Sequence, residues 1–175
     1  MADHYLSFTA LSRVEMDGRD FQVRVRKCPG TTAIIATHGG GIEPGTSELA
    51  DAIAGEEFSF YAFEGTKHAG NSILHITSSR FDEPQGISLV SMSPRVVALH
   101  GENASKEYVY LGGLDEKFVA KIHAALDTGG YSVRTHGNPN LQGIDKKQYL
   151  QPWLEWEWGA VGVEQRLAPI VFSST

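Results

Sequence analysis

The stretch FQVRVRKC (Phe21–Cys28) alternates strictly, with Phe21, Val23 and Val25 on one side and Gln22, Arg24 and Arg26 on the other. A period of two predicts a half-exposed strand. TAIIAT (Thr32–Thr37) is instead a short, nearly continuous apolar run. That pattern predicts a strand buried on both faces. FSFYAF (Phe58–Phe63), SILHITS (Ser72–Ser78), RVVALHG (Arg95–Gly101) and YVYLGG (Tyr108–Gly113) read as further strands, and YSVRTHG (Tyr131–Gly137) and GAVGVEQRL (Gly159–Leu167) close the series. Helical periodicity appears in three places. Tyr5–Arg13 suits a short helix. Leu49 with Ile53, and Ala50 with Ala54, repeat at spacing four behind Thr46 or Ser47 as N-cap, with Glu48 and Asp51 in the early turns. In DEKFVAKIHAALDTGG, Asp115 opens a helix whose apolar face is Phe118, Ile122, Ala125 and Leu126, and Gly129 closes it. Strands interleaved with helices predict an α/β fold: a single domain over residues 1–175, with a mixed, mostly parallel β-sheet flanked by helices.

Composition narrows the function classes. The 175 residues suffice for one sizeable core, and 41% hydrophobic with 21% charged residues is ordinary for a globular chain. The formal net charge of -6 weighs against a nucleic-acid binder, which needs basic surface. Cys28 is the one cysteine, so no intrachain disulfide forms and no Cys-type zinc site exists. Its place before Pro29 and Gly30 suits a small structural residue. The opening MADHYLSFTALSR lacks a basic stretch followed by a long apolar one, so no signal peptide is expected. No apolar run approaches the ~20 residues of a membrane span. The expectation is a soluble monomer, cytoplasmic as synthesised, able to act outside the cell after lysis, with no nucleic-acid or membrane partner.

The candidate chemistry sits where the strands end. His38 closes a buried strand and leads into Gly39, Gly40, Gly41, Ile42, Glu43 and Pro44. The C-terminal edge of an α/β sheet is where ligands bind. A loop almost free of side chains lets Glu43 turn back beside the imidazole. His100 repeats the arrangement, ending an apolar strand just before a glycine. Two strand-end histidines and one loop carboxylate are suitable zinc ligands, and three protein ligands leave one position open. The competing reading of HGGGIEPGTSE is an anion cradle at a helix N-terminus. It ranks lower, because the loop has no Walker lysine and its carboxylate would repel a phosphate.

Together, HGGGIEPGTSELADAIAG, FSFYAFEG, LHITSSRFDEP, ALHG and LGGLD resemble the poly-γ-glutamate hydrolase family of phages and bacilli. The resemblance runs from about Tyr5 to Leu126 and weakens after Gly137. It implies a sheet like that of the zinc carboxypeptidases. It also implies a Zn2+ ion held by His38, Glu43 and His100, the set reached from strand ends and ligand types. The implied substrate is poly-γ-glutamate or a γ-glutamyl peptide, and the implied reaction is amide hydrolysis. The resemblance further suggests a general base on a late strand, where GVEQRLAP offers Glu164, with Glu155 and Glu157 in LEWEWGA as rivals. Two other readings are a related metallo-amidase or peptidase acting on other γ-glutamyl or cell-wall peptides, and a non-catalytic polyglutamate-binding domain.

Other residues carry weaker expectations. Arg80 is a candidate for bidentate pairing with a substrate carboxylate, against an ordinary ion pair with Asp82 or Glu83. His75 shares parity with Ile73, so it reads as a core histidine or one supporting the site, with direct substrate contact as the alternative. Lys67 and Arg134 carry the same ambiguity as Arg80. Trp153, Trp156 and Trp158 read as packing or a cleft wall.

Overall fold

A computed structural model of the chain describes residues 3–103, 106–138, 142 and 166–174, with Ile170 and Val171 the side chains described in the last strand. Seven strands are described: β1 (Phe21–Arg26), β2 (Thr32–Gly40), β3 (Ser59–Gly65), β4 (Arg95–Asn103), β5 (Tyr108–Leu111), β6 (Val133–Arg134) and β7 (Arg166–Ser174). They form one sheet in the order β1-β3-β2-β4-β7-β5-β6. The pairs β3-β2, β2-β4, β4-β7 and β5-β6 are parallel, whereas β1-β3 and β7-β5 are antiparallel. The sheet is therefore mixed and mostly parallel, as the alternation of strands and helices predicts.

The period of two sorts the core into two layers. Ile34, Ala36, Phe60, Ala62, Val97 and Leu99 face one side. There they meet Ala50 and Ala54 of α2 (Thr46–Ala54), and the partly buried Phe118, Val119, Ile122 and Leu126 of α4 (Glu116–Thr128). Ala33, Ile35, Tyr61, Phe63, Val96 and Ala98 face the other side. Their partners are Leu11 of α1 (Phe8–Leu11), Leu89 and Val90 of α3 (Pro84–Met92), and Leu74, Ile76 and Phe81 from the connection between β3 and α3. The central strands are buried on both faces, which is why they read as continuous apolar runs.

Several local expectations change. Gly45, not Thr46 or Ser47, is the N-cap of α2, and no side chain caps that helix. Ile53 is 40% exposed, because α2 presents its small residues Ala50 and Ala54 to the sheet instead. SILHITS is not a strand: Asn71–Leu74 makes one 3-10 turn and His75 leaves it in extended conformation. YSVRTHG contributes only Val133 and Arg134 as strand. Of GAVGVEQRL, Arg166 and Leu167 belong to β7, and the preceding residues lie outside those described. The helix α3 has no counterpart in the hydrophobic pattern. Its start is set by Glu83, whose carboxylate accepts from the amides of Gln85 (3.1 Å) and Gly86 (2.7 Å), with Pro84 in the first turn. Asp115 and Gly129 cap α4 as expected.

Candidate metal centre

Strands β2 and β4 are parallel neighbours, in register from Thr32 with Arg95 to Ile35 with Ala98. Their C-terminal ends therefore lie side by side at one sheet edge. His38 and His100 sit two or three residues inside those ends, since β2 runs on to Gly40 and β4 to Asn103. A register shift against β3 between Ala36 and Gly39 marks the place where His38 leaves the regular pleat.

The loop that follows returns on itself. The Glu43 amide donates to the His38 carbonyl (2.9 Å), closing the turn. Thr46 Oγ1 donates to the carbonyl of Glu43 (2.8 Å), and Ser47 Oγ accepts from the Gly40 amide (3.1 Å). The two hydroxyls expected to cap α2 thus tie down the loop instead. Two glycines are required by this path. Gly40 has φ 59°, and a Cβ there would stand 2.6 Å from the Gly65 carbonyl oxygen. A Cβ on Gly39 would stand 2.8 Å from Ser47 Cβ.

The result is a convergence of donor atoms. Glu43 Oε1 lies 3.0 Å from His38 Nδ1, and Glu43 Oε2 lies 3.6 Å from His100 Nδ1. The two Nδ1 atoms are 3.3 Å apart. The Gly101 amide, next to His100, donates to Glu43 Oε2 at 2.8 Å. Burial opposes the charge on Glu43, but hydrogen bonds from His100 and His38, and their charges, outweigh it and hold the carboxyl well below its ordinary range.

The orientation of His38 tests whether this set suits a metal. Its Nε2 lies 2.9 Å from the Ile76 carbonyl oxygen, which can only accept. Nε2 therefore carries a proton, and Nδ1 faces a carboxylate oxygen and a second imidazole nitrogen. Such a meeting of acceptors calls for positive charge between them, as a proton or as a cation. Two imidazoles and a carboxylate, one imidazole fixed through its far nitrogen, form a donor set that fits zinc.

A further histidine approaches His38 and Glu43. Among the described residues, His38, Glu43 and His75 each offer a ligand atom within 4.8 Å of the other two. The His75 ring lies against that of His38, with centroids 4.2 Å apart and planes tilted by 30°. Its Nδ1 is 2.9 Å from the Asp3 carboxylate, which also accepts from the Thr77 amide at 2.9 Å. Burial and the charge of His38 lower the His75 pKa, with Asp3 and Glu43 acting the other way. Neither Asp3 nor the Ile76 carbonyl is visible as a site residue in the sequence.

The remaining expectations resolve individually. Arg80 pairs with neither Asp82 nor Glu83; its Nη2 lies 3.7 Å from Asp3. Asp82 accepts from the amides of Phe8 and Thr9, and Glu83 caps α3. Lys67 Nζ is bound to Glu15 at 2.5 Å, and the Arg134 guanidinium lies over the Tyr108 ring at 3.8 Å. Cys28 is half-buried, with its amide donating to Ser59 Oγ and its Sγ to the Glu56 carbonyl. Glu164, its rivals Glu155 and Glu157, and Trp153, Trp156 and Trp158 lie outside the described residues. On β7, Val171 is in register with His100, and Arg166–Ser174 contains no acidic residue. Beyond His100 on β4, Glu102 is paired with His136 Nε2 at 3.1 Å. No described helix is long and apolar enough to cross a membrane.

Comparison with known proteins agrees with this fold. YndL of Bacillus subtilis (strain 168) is 39% identical over 129 residues, covering 74% of this chain and 50% of YndL. The SPbeta prophage-derived YoqZ of the same organism is 40% identical over 132 residues, covering 75% of this chain and 47% of YoqZ. The chain thus spans about half the length of the curated relatives it matches. Among solved structures, a bacteriophage poly-gamma-glutamate hydrolase superposes with a TM-score of 0.84 at 25% identity, over 98% of this chain and 79% of that one. A zinc-free apo form of YndL superposes with a TM-score of 0.85 at 30% identity, over 99% and 81%. The poly-gamma-glutamate hydrolase family matches residues 5–151, and with that span, this fold and these relatives, the chain belongs to that family.

Proposed function

We propose that the chain is a zinc-dependent hydrolase that cleaves γ-glutamyl amide bonds of poly-γ-glutamate, as a phage-type capsule depolymerase. The observation that carries this reading is the meeting of His38 Nδ1, His100 Nδ1 and the Glu43 carboxylate at one sheet edge, with His38 fixed through Nε2. These three residues would hold the ion. When bound, zinc polarises a scissile carbonyl and lowers the pKa of water from 15.7 to about 7.

The chain's own groups do the rest. Glu43 stays ionised because His100, His38 and the Gly101 amide all favour its charge. The Ile76 carbonyl keeps the His38 ring in one orientation, with Nδ1 toward the centre. Arg80, about half exposed, offers a guanidinium for a substrate α-carboxylate, and His75 lines the same side. Glu164 is proposed as the general base, taking a proton from the attacking water and returning it to the leaving amine nitrogen.

The test is incubation of purified protein with poly-γ-glutamate, following chain length on a gel with zinc and with a chelator. Shortening that stops with the chelator and returns with zinc supports the proposal. Binding without shortening replaces it with a binding module, and cleavage confined to short γ-glutamyl or cell-wall peptides moves the substrate class. Glu164→Gln should retain zinc and lower kcat by roughly 10²-fold or more. If Glu164→Gln stays active and Glu102→Gln does not, the base belongs to β4.

A further inference from the structure

Most described arginines face a carboxylate: Arg19, Arg24, Arg26, Arg80 and Arg95 each have one. Arg134 is exposed, and among the described residues no carboxylate pairs with it. Its guanidinium lies over the Tyr108 ring instead, 3.8 Å from the centroid. Stacking occupies one face of the guanidinium and leaves the N–H groups at its edge free to point outward. That is a preset fork for a carboxylate. The sheet links this fork to the candidate metal centre. His100, Val171, Tyr110 and Arg134 are successive register partners across β4, β7, β5 and β6. Register partners share a face of the sheet, so Arg134 projects on the same side as His100. Three strand spacings of about 4.8 Å put their backbones about 14 Å apart. Between them stand Tyr110 and His136, with ring centroids 4.7 Å apart. Glu102, on the same face of β4, would repel an anion there, but it is held by His136 Nε2 at 3.1 Å. His136 Nδ1 accepts from the Asn138 amide at 3.0 Å, so Nε2 carries a proton and donates to that carboxylate.

Resting on the substrate reading above, we propose that Arg134, stacked on Tyr108, is a remote subsite that grips an α-carboxylate of the poly-γ-glutamate chain away from the bond that is cleaved. The chemistry of the polymer fits the spacing. Each γ-linked residue carries one free carboxylate and adds two backbone bonds to the ~3.8 Å step of an ordinary peptide, giving about 6 Å per residue. A span of about 14 Å therefore places Arg134 about two residues along the chain from the centre. Arg80 lies toward the other side of β4, linked to His38 through Asp3 and His75. The two arginines would thus hold different carboxylates of one polymer. The Tyr108 ring contributes by holding the guanidinium in place, so that little side-chain freedom is lost when the carboxylate arrives.

The test uses long poly-γ-glutamate as the probe, with affinity read as Kd in the presence of a chelator and as KM with zinc. Arg134→Ala is expected to raise both about fivefold, the scale of one exposed charge pair, with kcat and the thermal-melt midpoint nearly unchanged. Arg134→Lys keeps the charge but loses the fork, and should raise them about twofold. Tyr108→Leu removes the platform and should raise them about twofold as well. Arg13→Ala removes an equal exposed charge elsewhere and should leave both constants as they are. Unchanged Kd and KM in Arg134→Ala would overturn the subsite and leave the hydrolase reading standing. So would an equal rise in Arg13→Ala, which would reduce the effect to net charge. Failure of the unmutated protein to bind the polymer would overturn both readings.

Discussion

Two segments meet at the candidate centre and are built in opposite ways. The loop from His38 to Thr46 is local. Its turn, its glycines and its hydroxyl ties all come from within about ten residues, apart from the Gly101 amide and the neighbouring strand. The connection from Asn71 to Glu83 is held from far along the chain. Asp3 grips His75 and Thr77, while Asp82 reaches back to the amides of Phe8 and Thr9. One side of the site is shaped by backbone conformation, and the other by polar contacts over more than seventy residues of sequence. The first should fail abruptly when one glycine is changed, and the second gradually as its anchors are removed.

The largest effect is expected at Gly40. Gly40→Ala forces a side chain into a left-handed conformation and toward the Gly65 carbonyl. It should cost about 1–3 kcal/mol in denaturant unfolding and weaken zinc binding, because Glu43 can no longer close on His38. An unchanged midpoint and unchanged zinc affinity would show that the loop tolerates another path. On the other side, Asp82→Ala removes acceptors for the start of α1 and should cost about 1 kcal/mol, with zinc affinity nearly kept. A loss of zinc as severe as that of Gly40→Ala would erase the distinction between the two segments.

Arg80→Ala probes the exposed margin of the distant-anchored side. If Arg80 holds a substrate carboxylate equally in ground and transition states, KM should rise several-fold with kcat nearly unchanged, and high salt should mimic the change. Constant KM would remove Arg80 from the substrate path.

The smallest effect concerns the anchor of the N-terminal segment. Tyr5 donates to Glu15 at 2.6 Å, and Lys67 approaches the other Glu15 oxygen at 2.5 Å. Burial, aided by Glu15, pushes the Tyr5 phenol from 10.0 up to about 12. Between those values the unfolded chain has lost its proton and the folded one has kept it, so this contribution is complete below pH 10 and fades as pH rises toward 12. Glu15 behaves in the opposite sense. Burial resists its charge, but Lys67 and Tyr5 hold its carboxyl below the usual range, so its contribution is present above that range and lost as pH falls. Tyr5→Phe should flatten the alkaline decline in thermal-melt midpoint. An identical alkaline slope would mean that another group controls it.

The same contrast explains what the sequence reveals. The central strands are legible because burial on both faces leaves a continuous apolar record, and α4 because Asp115 and Gly129 mark its ends. His38, Glu43 and His100 are legible because strand ends and glycines are local signals. The helix α3 is hidden by Gly86, Ser88 and Ser91, which blur its periodicity, and its Glu83-Pro84 start is the one cue available. His75 follows an apolar pair that mimics a strand, while tertiary packing closes a 3-10 turn there instead. Asp3 carries no cue at all, since its role is created by a contact across seventy-two positions.

The central claim is that His38, Glu43 and His100 together hold one catalytic ion. Its most direct test is elemental analysis of untagged protein beside His38→Ala and His100→Ala, each with its fold checked by circular dichroism. The account predicts about one zinc per unmutated chain and loss of most of it in each variant. Full zinc retention in both folded variants would contradict it.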